Sequence, residues 1–141
     1  MGIELTARVR AIPVARTAED VAWLAGRLEK FFAGATNAIY APVGGDENPV
    51  AVLQDVEART VWMPENAGLI MRTSGSTTGS GRLVGLSAAH MRASAAATEA
   101  RLGGPCSWVL ALAPHHIAGL QVVARAPVSY THLTLPTSDP E

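Results

Sequence analysis

The apolar positions of this chain change period several times, and each change marks an element. Residues 8–14 read as a short strand ended by Pro13. Thr17 then stands as an N-cap with Glu19 and Asp20 in the first helical turn. Val21, Leu24, Ala25, Leu28, Phe31 and Phe32 follow at i, i+3, i+4, i+7 spacing, so an amphipathic helix is predicted, closed by Gly34. Residues 38–43 form a second strand-like run, stopped by Gly44-Gly45-Asp46-Glu47-Asn48-Pro49. A second helix over 50–58 begins at Pro49, since proline is tolerated in a first helical turn. Gly68-Leu69-Ile70-Met71 and Leu83-Val84-Gly85-Leu86 are two further strand-like runs. Ser87 caps an alanine-rich helix over 88–102, which Gly103-Gly104-Pro105 ends. Residues 107–112 are mostly apolar and of strand length, the pattern of a strand buried on both faces. Strands alternating with helices predict an α/β fold.

Composition narrows the range of functions. At 141 residues and 48% hydrophobic content the chain can build one ordinary core, as one domain or part of a larger one. A net charge of −1 and a pI near 6.4 provide no general field for nucleic acid or an anionic membrane, so any phosphate recognition must be local. Cys106, the single cysteine, cannot make an intrachain disulfide and sits in no metal-ligand spacing; it reads as a small structural residue. The first residues include Glu4, Glu19 and Asp20 without a sustained apolar segment, and no apolar run reaches the roughly 18 residues of a membrane span. The expectation is a soluble cytoplasmic protein. Asp46 and Glu47 read as loop solubilisers, and His90 and Arg92 as a solvated helix face.

Two stretches carry candidate chemistry. The first is Thr73-Ser74-Gly75-Ser76-Thr77-Thr78-Gly79-Ser80-Gly81-Arg82, set between two strand-like runs. Its glycines let the backbone approach a ligand, successive N–H groups and hydroxyls can surround an anion, and Arg82 adds a fixed charge. A solvated Gly/Ser linker has similar composition, but strands at both ends hold a loop in place. The Walker spacing, Gly then four residues then Gly-Lys-Ser/Thr, fails from both Gly75 and Gly79. The second stretch is Pro114-His115-His116-Ile117-Ala118-Gly119-Leu120, just past the predicted strand 107–112. Ligands of open α/β sheets sit beyond the carboxyl ends of strands, so a histidine there is well placed. On an extended backbone the two rings would point opposite ways and could not share one metal.

These stretches resemble the adenylate-forming, AMP-forming acyl-CoA synthetase superfamily. Its phosphate loop reads Thr-Ser-Gly-Ser/Thr-Thr-Gly-x-Pro-Lys-Gly; Thr73, Ser74, Gly75, Ser76 and Thr77 match, Thr78-Gly79 repeats the Thr-Gly step, and Ser80-Gly81-Arg82 replaces x-Pro-Lys. The loop is thus one hydroxyl residue longer, with arginine in place of lysine. His116 falls on the histidine of the family's second motif and His115 on its aromatic-or-His position. Leu102-Gly103-Gly104-Pro105, Ser107-Trp108 and Ser87-Ala88-Ala89 resemble most the o-succinylbenzoate-CoA ligases of menaquinone biosynthesis, over residues 69–126.

The resemblance implies a partial N-terminal AMP-binding domain over 1–127, with Thr73, Ser74, Gly75, Ser76, Thr77, Thr78, Gly79 and Arg82 around the ATP phosphates alongside Mg²⁺. It implies His116 at the acyl and adenylate pocket, with ATP, CoA and o-succinylbenzoate as small-molecule substrates. Another acyl-CoA synthetase or a non-catalytic nucleotide-binding module are the alternatives. The family's Tyr-Gly-x-Thr-Glu element is not found after Gly119, and Lys30 is the single lysine, so the polypeptide is expected to be inactive as a ligase. From Val128 the alanine and glycine richness ends. Residues 128–137 resemble one reading frame of a transposon-type sequencing adapter, so 128–141 is expected to be a non-native tail.

Overall fold

The computed structural model describes residues 8–60, 62–63, 66–75, 81–129 and 133–135. Its main sheet has the order β1-β2-β3-β4, made of Val9–Val14, Ile39–Gly44, Ala67–Arg72 and Leu83–Ser87. The first three strands are parallel and β4 returns antiparallel to β3. β1 and β2 pair along their whole length, from Val9↔Ile39 to Val14↔Gly44. β2 meets β3 at Tyr40↔Leu69.

Helices cover both faces of the sheet, which is why β2 is buried at every position despite carrying no alternation of polar residues. On one face lie α1 (Ala18–Phe32), α3 (Ala88–Leu102) and α4 (Ile117–Ser129); Leu24, Leu28, Leu69, Leu110, Leu120 and Val123 are fully buried there. On the other lies α2 (Pro49–Arg59), whose Val52 and Val56 pack on Val9, Ile39, Ala41, Val43 and Ile70. The period-2 alternation of strand side chains accounts for the split: Ile12 and Val14 of β1 face one layer, Val9 the other. Gly68 permits the closest approach of β3 to α1, since a Cβ there would lie 2.0 Å from the Phe31 ring.

The helix ends follow local chemistry. The Thr17 hydroxyl accepts from Asp20 N at 3.2 Å, and Asn48 caps α2 by accepting from Val50 N and Ala51 N. Ser87 and His90 form a reciprocal cap on α3: His90 N donates to Ser87 Oγ, and Ser87 N donates to His90 Nδ1. Gly103, with φ of 89°, terminates that helix. His90 and Arg92 are exposed as expected, yet neither is merely solvated: His90 caps, and Arg92 donates to Phe32 O.

The expected buried strand over 107–112 is corrected. Only Trp108–Val109 forms a strand, β5, which pairs with β6 (Leu133–Thr134) in a separate two-stranded ladder. Leu110 is fully buried, but Val109 and Leu112 are more than half exposed. A strand is buried on both faces only where it lies inside a sheet with a layer packed on each side, and this segment pairs with neither edge strand of the main sheet. Helix α4 ends at Ser129.

Candidate functional site

Parallel strands bring their carboxyl ends to one edge, so the segments after β1, β2 and β3 gather there with the start of β4. The 73–82 loop is the turn of the β3–β4 hairpin. Its stem is closed twice: Thr73 N donates to Arg82 O at 2.9 Å, and Arg82 N donates to Thr73 Oγ1 at 2.7 Å. Arg59, at the end of α2, donates to Gly81 O at 2.9 Å while pairing with Asp55 at 3.0 Å. Gly75 and Gly81 both hold positive φ, 66° and 65°. Thr73, Ser74, Gly75 and Arg82 are therefore positioned on a braced stem; Ser76, Thr77, Thr78 and Gly79 lie outside the described residues. Beside the stem, a cleft of about 280 Å³ opens between α2 and the hairpin, lined by Arg59, Trp62, Met63, Ile70 and Leu83.

Immediately before the loop stands a group that sequence reasoning missed. Arg72, the last residue of β3, donates both Nη atoms to Glu47, at 2.7 Å each. This is the bidentate geometry in which guanidinium and carboxylate bind most strongly. Glu47 Oε1 also accepts from Gly44 N at 2.9 Å, and Glu47 N donates to Gly44 O at 3.0 Å, so the carboxylate is the keystone of the β2–α2 turn. The expectation that Glu47 only solubilises its loop is corrected. The available signal was an acid and a base at the carboxyl ends of two neighbouring parallel strands.

His115 joins the same group. Its ring lies against Gly44, where a Cβ would stand 3.1 Å from Cε1 and Nε2, and its Nε2 is 3.8 Å from Glu47 Oε1. Residues 114–116 form a turn rather than extended chain, so the two imidazoles are not opposed: their centroids are 4.1 Å apart. That corrects the extended-backbone expectation. His116 is exposed, and its carbonyl accepts from Leu120 N as α4 begins. Arg16 donates to Ala111 O at 3.0 Å, fastening the segment before the histidines to the end of β1.

The charges of the group are set by these contacts. The Arg72 hydrogen bonds hold the Glu47 carboxyl down at about 2, against the opposing effect of burial. Arg72 is pushed up by the same bonds. Burial, reinforced by His116, holds His115 below its ordinary value despite Glu47 nearby. The 3.8 Å contact is thus no ion pair at neutral pH, where His115 is neutral, and it exceeds hydrogen-bond distance.

A pH dependence follows. Glu47's folded value lies below its ordinary 4.5, so its contribution is complete above that value and is lost as pH falls toward about 2. His115 is also depressed, so acidification below its ordinary 6.5 favours the unfolded chain. Thermal melts from pH 7 downward should show stability falling in two stages, and Glu47→Gln should remove the lower stage. A stability flat from pH 5 to pH 3 in the parent chain contradicts this.

No protein-family model matches the chain. Over 65 residues, 46% of this chain, it is 48% identical to the probable 2-succinylbenzoate-CoA ligases of two Mycobacterium tuberculosis strains, CDC 1551 / Oshkosh and ATCC 25618 / H37Rv. The match spans 17% of the length of those curated relatives. The fold is similar to that of o-succinylbenzoate CoA synthetase from Bacillus subtilis, solved with the acyl-adenylate intermediate OSB-AMP. The TM-score is 0.62 at 16% identity, over 94% of this chain and 44% of that one. The chain is thus similar in sequence to o-succinylbenzoate-CoA ligases over one stretch, and over nearly all of its length it has the fold of part of such an enzyme.

Proposed function

We propose that this chain contributes the phosphate-binding part of a ligase that activates o-succinylbenzoate with ATP and transfers it to CoA, in menaquinone biosynthesis in the cytoplasm. The carboxylate attacks the α-phosphate, pyrophosphate leaves, and the CoA thiol then displaces AMP from the acyl-adenylate. Such chemistry depends on positioning and charge stabilisation more than on a protein nucleophile. The observation that carries the reading is the braced hairpin stem, which presents Thr73, Ser74, Gly75 and Arg82 at the carboxyl edge of the sheet.

Thr73 to Gly79 and Arg82 hold the β- and γ-phosphates. His116, exposed where α4 begins, lines or gates the acyl and adenylate pocket. It need not act as a base, because a carboxylic acid is already ionised at neutral pH. Among the described residues no three His, Cys, Asp or Glu side chains converge on a metal position. Mg²⁺ would accompany the triphosphate and neutralise charge on its oxygens. Among the described residues, no helix is long and apolar enough to cross a membrane.

Calorimetric titration with ATP tests the reading. Arg82→Ala should weaken binding about tenfold, the worth of roughly 1.4 kcal/mol; equal affinities for parent and variant contradict it. Residues 1–141 alone should form no thioester from ATP, CoA and o-succinylbenzoate, and thioester formation would refute that. A non-catalytic nucleotide-binding module shares the first result, so the gene sequence beyond codon 127 separates the readings: a continuous frame with Tyr-Gly-x-Thr-Glu favours the ligase. The same sequence tests the proposal that 128–141 is adapter-derived, which a natural genomic continuation through codon 128 would sink.

A further inference from the structure

The two motifs are joined by side chains that neither motif contains. Glu47 bonds to Arg72, whose next residue, Thr73, opens the loop and closes its stem on Arg82. The same carboxylate accepts from Gly44 N, and Gly44 is the surface on which the His115 ring rests. A chain of contacts therefore runs from the hairpin stem through Arg72, Glu47 and Gly44 to His115, and from there to His116 by ring contact at 4.1 Å. The links join the end of β3, the β2–α2 turn and the turn before α4.

We propose that Glu47 is a positioning residue that couples the hairpin stem at Thr73 and Arg82 to the His115-His116 turn. Its two oxygens accept three hydrogen bonds, two from Arg72 and one from Gly44 N, so it does more than solvate its loop. Arg72, held in this fork, orients the end of β3 rather than offering itself as a mobile cation. The inference rests on the phosphate-loop reading for its functional meaning, but its test does not.

Imidazole and amide NMR of the ligand-free chain provide that test. The groups facing His115 are Glu47, Arg72, Asp46 and His116. Glu47→Gln keeps the shape and removes the charge. It should lower the His115 titration midpoint further, because Glu47 favours the protonated ring, and should move the amide signals of Thr73 and Arg82. ATP affinity should fall about tenfold, while Asp46→Asn, which leaves the Arg72 fork intact, should leave the Thr73 and Arg82 amides in place. Arg72→Lys keeps the charge, loses the fork and should displace the same amides; it carries the test if Glu47→Gln fails to fold. Unmoved Thr73 and Arg82 amides in the folded variant, with an unmoved His115 midpoint, overturn the proposal. Absence of ATP binding in the parent chain would defeat the phosphate reading alone and leave the ligand-free shifts to decide the coupling.

Discussion

Gly119→Ala is expected to destabilise the chain by about 3 kcal/mol, the upper part of the range for overpacking a filled site. The thermal midpoint should drop by roughly ten degrees. Gly119 is buried in the first turn of α4, and a Cβ there would stand 2.2 Å from Ala113 O, 2.7 Å from Ala113 C and 2.9 Å from Leu112 O. All three neighbours are backbone atoms, so no side chain can swing away to make room. Relief requires moving the 112–116 segment, which carries His115 and His116 and is tied to β1 through Arg16. Gly26, inside α1, has nothing within 4 Å and serves as the control: Gly26→Ala should stabilise by about 0.5–1 kcal/mol. Equal melting temperatures for the two variants contradict this account of the turn.

Gly81→Ala should cost the loop its ligand rather than the protein its fold. At φ of 65° an alanine is strained by about 1–2 kcal/mol, and its Cβ would lie 2.2 Å from Thr73 O. The Thr73 and Arg82 bonds that close the stem lie beside that clash, as does the Arg59 contact to Gly81 O. The stem must open, spreading the two sides of the loop. ATP affinity should fall at least tenfold, while the two core clusters keep the far-ultraviolet circular dichroism unchanged. Parent-like affinity in Gly81→Ala would show that the stem geometry does not matter for binding.

Much of this arrangement was readable from local chemistry. Thr17 and Ser87 announce helix starts because a side-chain oxygen and its N–H partner lie within one turn of sequence. The strands on either side of the loop were readable because a polar, glycine-rich interval separates two apolar runs; their antiparallel pairing was not. Residues 107–112 were misread because burial on both faces is a property of the layers packed on a strand, and a hydrophobic run does not say what it will pack against. Glu47 was missed for the same reason: its partner Arg72 lies 25 residues away, and nothing local distinguishes it from an ordinary loop acid. His115 was set aside in favour of His116 because the family motif points to the second histidine. The structure places the first one on Gly44, beside the charged pair.

Amide-resolved titration of the chain with ATP tests the central claim most directly, because it reports where the triphosphate sits as well as whether it binds. The account predicts saturable shifts at Thr73, Ser74, Gly75, Gly81 and Arg82, with little change along α1 and α3. Shifts that avoid the hairpin stem, or none at ATP concentrations well above a millimolar, would contradict it.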